Sequence, residues 1–249
     1  MIFAFRYIKD PVDYLIYLIF TLVAVTISLV LHEVSHGLVA KWNGDYTAKY
    51  EGRLTLNPLK HFDLVGFIMM MLIGFGYAKP VPVNPYNFKH RTRGQVLVSI
   101  AGVVTNLILA FLAALLYCLM YFAFVQAVGN GASAAGINTC MYLANFFELL
   151  GSINLALVFF NILPFYPLDG FRLIEALAKR GNKFCAFMRT NGQYILWGLV
   201  GLSFVVSVAR DYVPSLPYWF EYIDVLGTYL NFFIGHLNWA FVQFWSLMF

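Results

Sequence analysis

Charge is what this sequence has least of. Only 11% of its 249 residues are Asp, Glu, Lys or Arg, against 61% hydrophobic residues and a mean hydropathy of +0.74. That balance excludes a soluble globular domain, in which roughly a quarter of residues are charged. Cysteine is scarce as well: Cys118, Cys140 and Cys185 are scattered with no ligand spacing and read as plain buried or surface thiols. No internal repeat, low-complexity segment or Arg/Ser-rich transit-type start is visible. The formal net charge of +4 would invite a nucleic-acid partner in a soluble protein, but its distribution argues otherwise. Eight of the 16 basic residues (Lys41, Lys49, Arg53, Lys60, Lys79, Lys89, Arg91, Arg93) fall between the first two long apolar runs, and five more (Arg172, Lys179, Arg180, Lys183, Arg189) fall in a later loop. Loops rich in Lys and Arg stay in the cytoplasm, so both loops orient the chain within a bilayer and no nucleic acid is expected.

What the sequence has in abundance is long hydrophobic runs. At about 20 apolar residues per span there is room for four to six crossings, in one integrated membrane domain over 1–249 with a core at about 12–180 and C-terminal helices at about 194–249. The first span is expected from Pro11 to Trp42, where Asn43-Gly44-Asp45 signals a C-cap. It is too long for a signal-peptide core, and its N-terminus is expected outside the cell. A second span is expected at about Val96–Val125, a third at about Met141–Leu163 ending at Pro164, and a fourth at about Tyr194–Val208. The uncharged Gly129–Ser133 loop suits the external side. The tail from Tyr218 to Phe249, rich in aromatics, reads as a fifth span or an in-plane helix, with the span preferred. The fold class is therefore an all-α polytopic membrane protein of about four to five transmembrane helices.

Between the first two spans the pattern breaks. Arg53–Asn57 alternates like a short strand, and Leu64–Tyr77 is too short to cross and is interrupted by Gly66, Gly74 and Gly76. This is expected to be a small re-entrant, β-like element. Lys79-Pro80-Val81-Pro82-Val83-Asn84 reads as an extended edge, since its prolines bar it from a sheet interior.

Inside the first run stands His32-Glu33-Val34-Ser35-His36. On a helix the two histidines share a face one turn apart, both able to reach one Zn²⁺, with Glu33 beside them as a base. Ionisable groups at membrane depth cost about 2.5–3.5 kcal/mol each, so the cluster reads as a functional site rather than a polar patch between helices. His32 lies roughly 14 Å along the helix from Lys41, within the bilayer towards the cytoplasm. Two histidines leave a catalytic zinc short of its third protein ligand. Asp169 follows Pro164 and Pro167 on the same side; alone it would more often be a helix N-cap, but beside the His-Glu-x-x-His motif it becomes the candidate ligand. Asn154 and Asn161 lie seven apart, on one helix face, and are candidates to hydrogen-bond substrate backbone or the oxyanion, with interhelical pairing as the alternative; Asn106 reads as interhelical pairing. His61 and Asp63 read as solvated loop side chains rather than a second metal site, His90 as interfacial, and His236 as packed or interfacial.

Taken together, His32-Glu33-x-x-His36 and Asn161-Ile162-Leu163-Pro164-Phe165-Tyr166-Pro167-Leu168-Asp169-Gly170 resemble the two defining motifs of the site-2 protease family of intramembrane zinc metalloproteases. The stretches Gly52–Pro58, Ala78–Asn84 and Ala101-Gly102 with Asn106 resemble its compact prokaryotic branch, over about residues 14–177. Where the family has Gly-Pro-x-x-Asn this chain has Gly102-Val103-Val104-Thr105-Asn106, which is expected to alter helix geometry rather than chemistry. No PDZ or CBS module is visible. The resemblance implies one zinc per chain on His32, His36 and Asp169, Glu33 as base, and cleavage of the transmembrane segment of another membrane protein. The substrate is expected to be unwound and received as an added strand at Arg53–Asn57 and at Lys79, Pro80, Val81, Pro82, Val83 and Asn84. A metal-conducting transporter or channel, or a zinc hydrolase acting on lipid or soluble peptide, would use the same ligands; a transporter has little use for a base at Glu33.

Overall fold

The computed structural model describes residues 10–73, 76–179, 181–213 and 215–249; Gly74 and Arg180, counted above among the glycine interruptions and the loop cations, lie outside them. Helix α1 runs Pro11–Trp42, opened by the Asp10 carboxylate accepting the Val12 N–H and by Pro11 at the first position. Two short helices follow, α2 (Thr47–Tyr50) and α3 (Leu64–Ile73), then α4 (Arg91–Gly129), α5 (Ala134–Asn161), α6 (Asp169–Leu177), α7 (Lys183–Tyr212) and α8 (Val225–Ser246).

Among the described residues, four helices, α1, α4, α5 and α7, are long and apolar enough to cross a membrane. The protein is an all-α integral membrane protein. Helix α1 has the expected bounds, α4 and α7 overrun the expected spans at both ends, and α5 starts earlier and ends at Asn161 rather than Leu163; the extensions arise because helical hydrogen bonding continues beyond the apolar run. The aromatic tail does form a 22-residue helix, α8, but it is not among those four. It lies along α4 and α5, with the Trp245 indole N–H donating to the Phe111 carbonyl at 3.0 Å and the Tyr229 hydroxyl to that of Phe159 at 3.3 Å.

The centre of the bundle is built from small residues. Ala24 on α1, Ala113 on α4 and Leu150 on α5 form a core cluster with almost no exposed surface, and Ile27, Phe146, Phe147 and Ile153 pack around it. In lipid, helices gain little from hydrophobicity and associate by close packing, which alanine permits.

The connection from α1 to α4 is irregular. Among the described residues there is no β-strand, and the expected β-like element reduces to one antiparallel bridge between Phe62 and Ala78. Arg53–Asn57 does not pair as a strand. Instead the Arg53 guanidinium donates to the carbonyls of Lys79 at 2.8 Å and Pro80 at 3.2 Å, so a side chain replaces the ladder that prolines 80 and 82 prevent. Helix α3 has ten residues, about 15 Å, too short to cross as expected.

Candidate metal centre

His32 and His36 lie on the buried face of α1, 5% and 4% exposed, and Asp169, 5% exposed, is the first residue of α6. Leu168 occupies the N-cap without a side-chain bond, so the Asp169 carboxylate is free to turn away from its own helix. The two Nε2 atoms are 3.1 Å apart, and Asp169 Oδ2 is 3.3 Å from that of His32 and 3.1 Å from that of His36. Donor atoms on a tetrahedral zinc with bonds of about 2.0–2.1 Å stand roughly 3.3 Å apart, which these separations match.

The protonation pattern follows from the outer partners. His36 Nδ1 lies 2.7 Å from the Val98 carbonyl, which only an N–H can satisfy, and His32 Nδ1 lies 2.9 Å from Asn106 Oδ1. Each assigned Nδ1–H leaves a lone pair on Nε2, and Asp169 Oδ2 has no hydrogen-bond donor. Three buried lone pairs converge with no proton between them, a self-repelling arrangement unless a cation joins them. No other group of three His, Cys, Asp or Glu is so placed among the described residues.

Two glycines permit this geometry. A Cβ on Gly102 would stand 2.4 Å from His32 Cε1, so α4 can seat the imidazole only with hydrogen there. A Cβ on Gly170 would stand 2.1 Å from the Ile162 carbonyl oxygen, so α6 can start against the end of α5 only with glycine after Asp169. Val98, Gly102 and Asn106 recur every four residues along one face of α4 and together brace both imidazoles. Asn106, read from sequence as a link between helices, thus orients the His32 imidazole; its i, i+4 spacing from Gly102 was the signal.

Glu33 is half-buried, and its Oε2 accepts the Val81 N–H at 2.7 Å. The Lys79–Asn84 segment is accordingly occupied within the chain. The Lys79 N–H donates to the His61 carbonyl at 2.8 Å, and the Asn84 N–H to Asp45 Oδ2 at 2.6 Å. With Pro80 and Pro82 lacking donors, Val83 supplies the remaining N–H. His61, expected to be solvated, is 1% exposed with Nε2 2.8 Å from the Thr55 carbonyl, because the loop folds over it.

A cavity of about 570 Å³ opens onto these groups, lined by His32, Glu33, His36 and Asp169 and flanked by Asn161 and Arg172. Asn154 lies elsewhere: it is fully buried and donates to Ser28 Oγ and the Leu150 carbonyl, both at 2.8 Å, tying α5 to α1.

Residues 20–202 match the model of peptidase family M50. The chain belongs to peptidase family M50. It is 39% identical over 225 residues to a Bacillus subtilis (strain 168) protein named "Putative zinc metalloprotease YwhC", covering 85% of this chain and 95% of that protein. It is 26% identical over 245 residues to a Mycolicibacterium smegmatis protein named "Putative zinc metalloprotease Rip2", covering 96% and 85%. A Methanocaldococcus jannaschii protein with a name of the same kind is 25% identical, covering 81% and 82%. No solved structure matches. As an M50 peptidase with apolar spanning helices, the chain is a membrane zinc protease of the site-2 protease type.

Proposed function

We propose that this M50 peptidase is an intramembrane zinc endopeptidase that cuts transmembrane segments of other membrane proteins near their cytoplasmic end, as a step of regulated proteolysis in a prokaryotic cell membrane. The observation that carries the reading is the convergence of His32 Nε2, His36 Nε2 and Asp169 Oδ2, beside the Glu33 carboxylate, on a cavity among apolar spanning helices. The basic loops support an orientation with the N-terminus outside and the site towards the cytoplasm.

His32, His36 and Asp169 would hold one zinc, which supplies Lewis acidity to polarise the scissile carbonyl and acidify an attacking water. Glu33 accepts that water's proton on a carboxylate oxygen and returns it to the leaving amide nitrogen. The Val98 carbonyl and Asn106 keep the imidazole lone pairs aimed inward throughout. Asn161 and Pro80 line the cavity, and Asn161 with the extended Lys79–Asn84 segment would bind an unwound substrate. Pairing there would draw on carbonyl oxygens and the Val83 N–H, and on the Val81 N–H only after Glu33 releases it.

The test is cleavage of single-span membrane proteins by full-length chain in vesicles. Glu33→Gln is expected to keep its zinc and lose at least about a hundredfold in rate, since an amide cannot take the proton. Near-wild-type cleavage by Glu33→Gln would remove Glu33 from the mechanism. Wild-type protein that moves metal across vesicles and cuts nothing would favour the transporter reading.

A further inference from the structure

A second carboxylate sits at membrane depth, and the metal centre does not use it. Glu148 lies in α5, 14 residues from its start at Ala134 and 13 from its end at Asn161, about 20 Å from each. With a hydrocarbon layer of about 30 Å, that is close to the bilayer midplane. Apart from Glu33, every other charged side chain of the four spanning helices falls within about two turns of a helix end.

Glu148 lines a cavity of about 250 Å³ between α4, α5 and α8, which shares no lining residue with the cavity at the metal centre. Its side chain is exposed there and makes no hydrogen bond or ion pair with a described residue. Tyr117, Asn238 and Trp239 also line it, with Ala114 and Gly235 as small residues beside them. A carboxylate that shares a cavity with a tyrosine and a tryptophan is the chemistry that receives a cation. The small residues let another helix approach closely.

We infer that this cavity is a docking site for a transmembrane helix of another protein that presents a Lys or Arg at mid-membrane. Each of the two charges is unfavourable alone in hydrocarbon, and pairing relieves both. A second copy of this chain does not meet the requirement, because its described spans carry no Lys or Arg at that depth. The inference is independent of the proteolytic reading, since it concerns a separate cavity.

The experiment uses full-length protein in vesicles with fluorescently labelled single-span Leu/Ala helices whose central residue is Lys, Leu or Glu, association being followed by energy transfer. The Lys helix is expected to bind about tenfold or more tightly than the Leu helix. Glu148→Gln should abolish that preference, Glu148→Asp should keep most of it, and the Glu helix should bind no better than the Leu helix. A thermal unfolding transition matching wild type shows that the variants are folded; should Glu148→Gln fail this check, Glu148→Asp and the Glu helix carry the comparison. Equal binding of Lys and Leu helices to wild-type protein would overturn the inference. So would a Lys preference that survives in folded Glu148→Gln, or a self-association of the chain that Glu148→Gln removes.

Discussion

At the residue scale, His32 and His36 can act as ligands because other groups hold their Nδ1 protons, and the two are held differently. His36 is oriented by a backbone carbonyl, beyond the reach of side-chain substitution, whereas His32 depends on the Asn106 side chain. Asn106→Leu is therefore expected to weaken zinc binding by about 10–100-fold while leaving the fold intact. Competition with a chelator measures the affinity. Asp169→Ala should lose zinc almost completely, since two ligands hold the ion poorly; metal analysis of the purified protein showing full occupancy would refute the ligand assignment. Gly102→Ala forces a methyl into the His32 ring and is expected both to lower zinc occupancy and to cost about 1–3 kcal/mol in stability, read from metal content and thermal unfolding.

At the element scale, the segment between α3 and α4 is held by one carboxylate from within α1 and another from the turn after it. Glu33 takes the Val81 N–H, and Asp45 takes the Asn84 N–H and the Asn87 amide, the latter at 2.9 Å. Val81→Pro deletes the donor to Glu33 and is expected to depress cleavage while leaving metal content unchanged; an active Val81→Pro enzyme would rule out a role for the Val81 N–H. Burial by itself would raise the Asp45 pKa, but hydrogen bonds from Thr47, Asn87 and the Asn84 N–H outweigh it and hold the carboxyl below its ordinary 3.8. Since the folded group titrates lower than the unfolded one, its contribution is complete above that ordinary value and lost as pH falls below it. Asp45→Ala is expected to cost about 1.5–3 kcal/mol near neutral pH. The gap from wild type should stay level between pH 5 and 8 and close only in strong acid, as unfolding at a series of pH values would show.

At the scale of the whole molecule, the α1–α4–α5 core packs through alanines while the site opens to a cavity bounded also by α6, α7 and α8. On the proposed reading, a substrate helix entering that cavity would hide its peptide bonds in its own hydrogen bonds and would have to unwind before Glu33 could act on it. Helix-breaking residues near the cleavage point are therefore expected to speed cleavage, and rates for a matched substrate series would test this. Rates indifferent to substrate helicity would mean that unwinding does not limit the reaction.

The sequence alone determined the spanning helices and singled out His32, His36 and Asp169, whose donor atoms the fold brings within reach of one ion, with Glu33 beside them. Those rest on local physics: apolar run length, four-residue spacing on one helix, and a motif set by its own prolines and glycine. It also placed Asn154 and Asn161 on one helix face, yet the tertiary structure sends Asn154 into the α1 contact and Asn161 to the cavity, because α5 turns past a neighbour that helical periodicity does not describe. Tertiary structure likewise decided that Arg53 bonds to carbonyls instead of entering a strand, that His61 is buried, and that Asn106 and Gly102 serve His32. Each of these depends on a distance between segments separated along the chain, and such distances are settled only when helices pack.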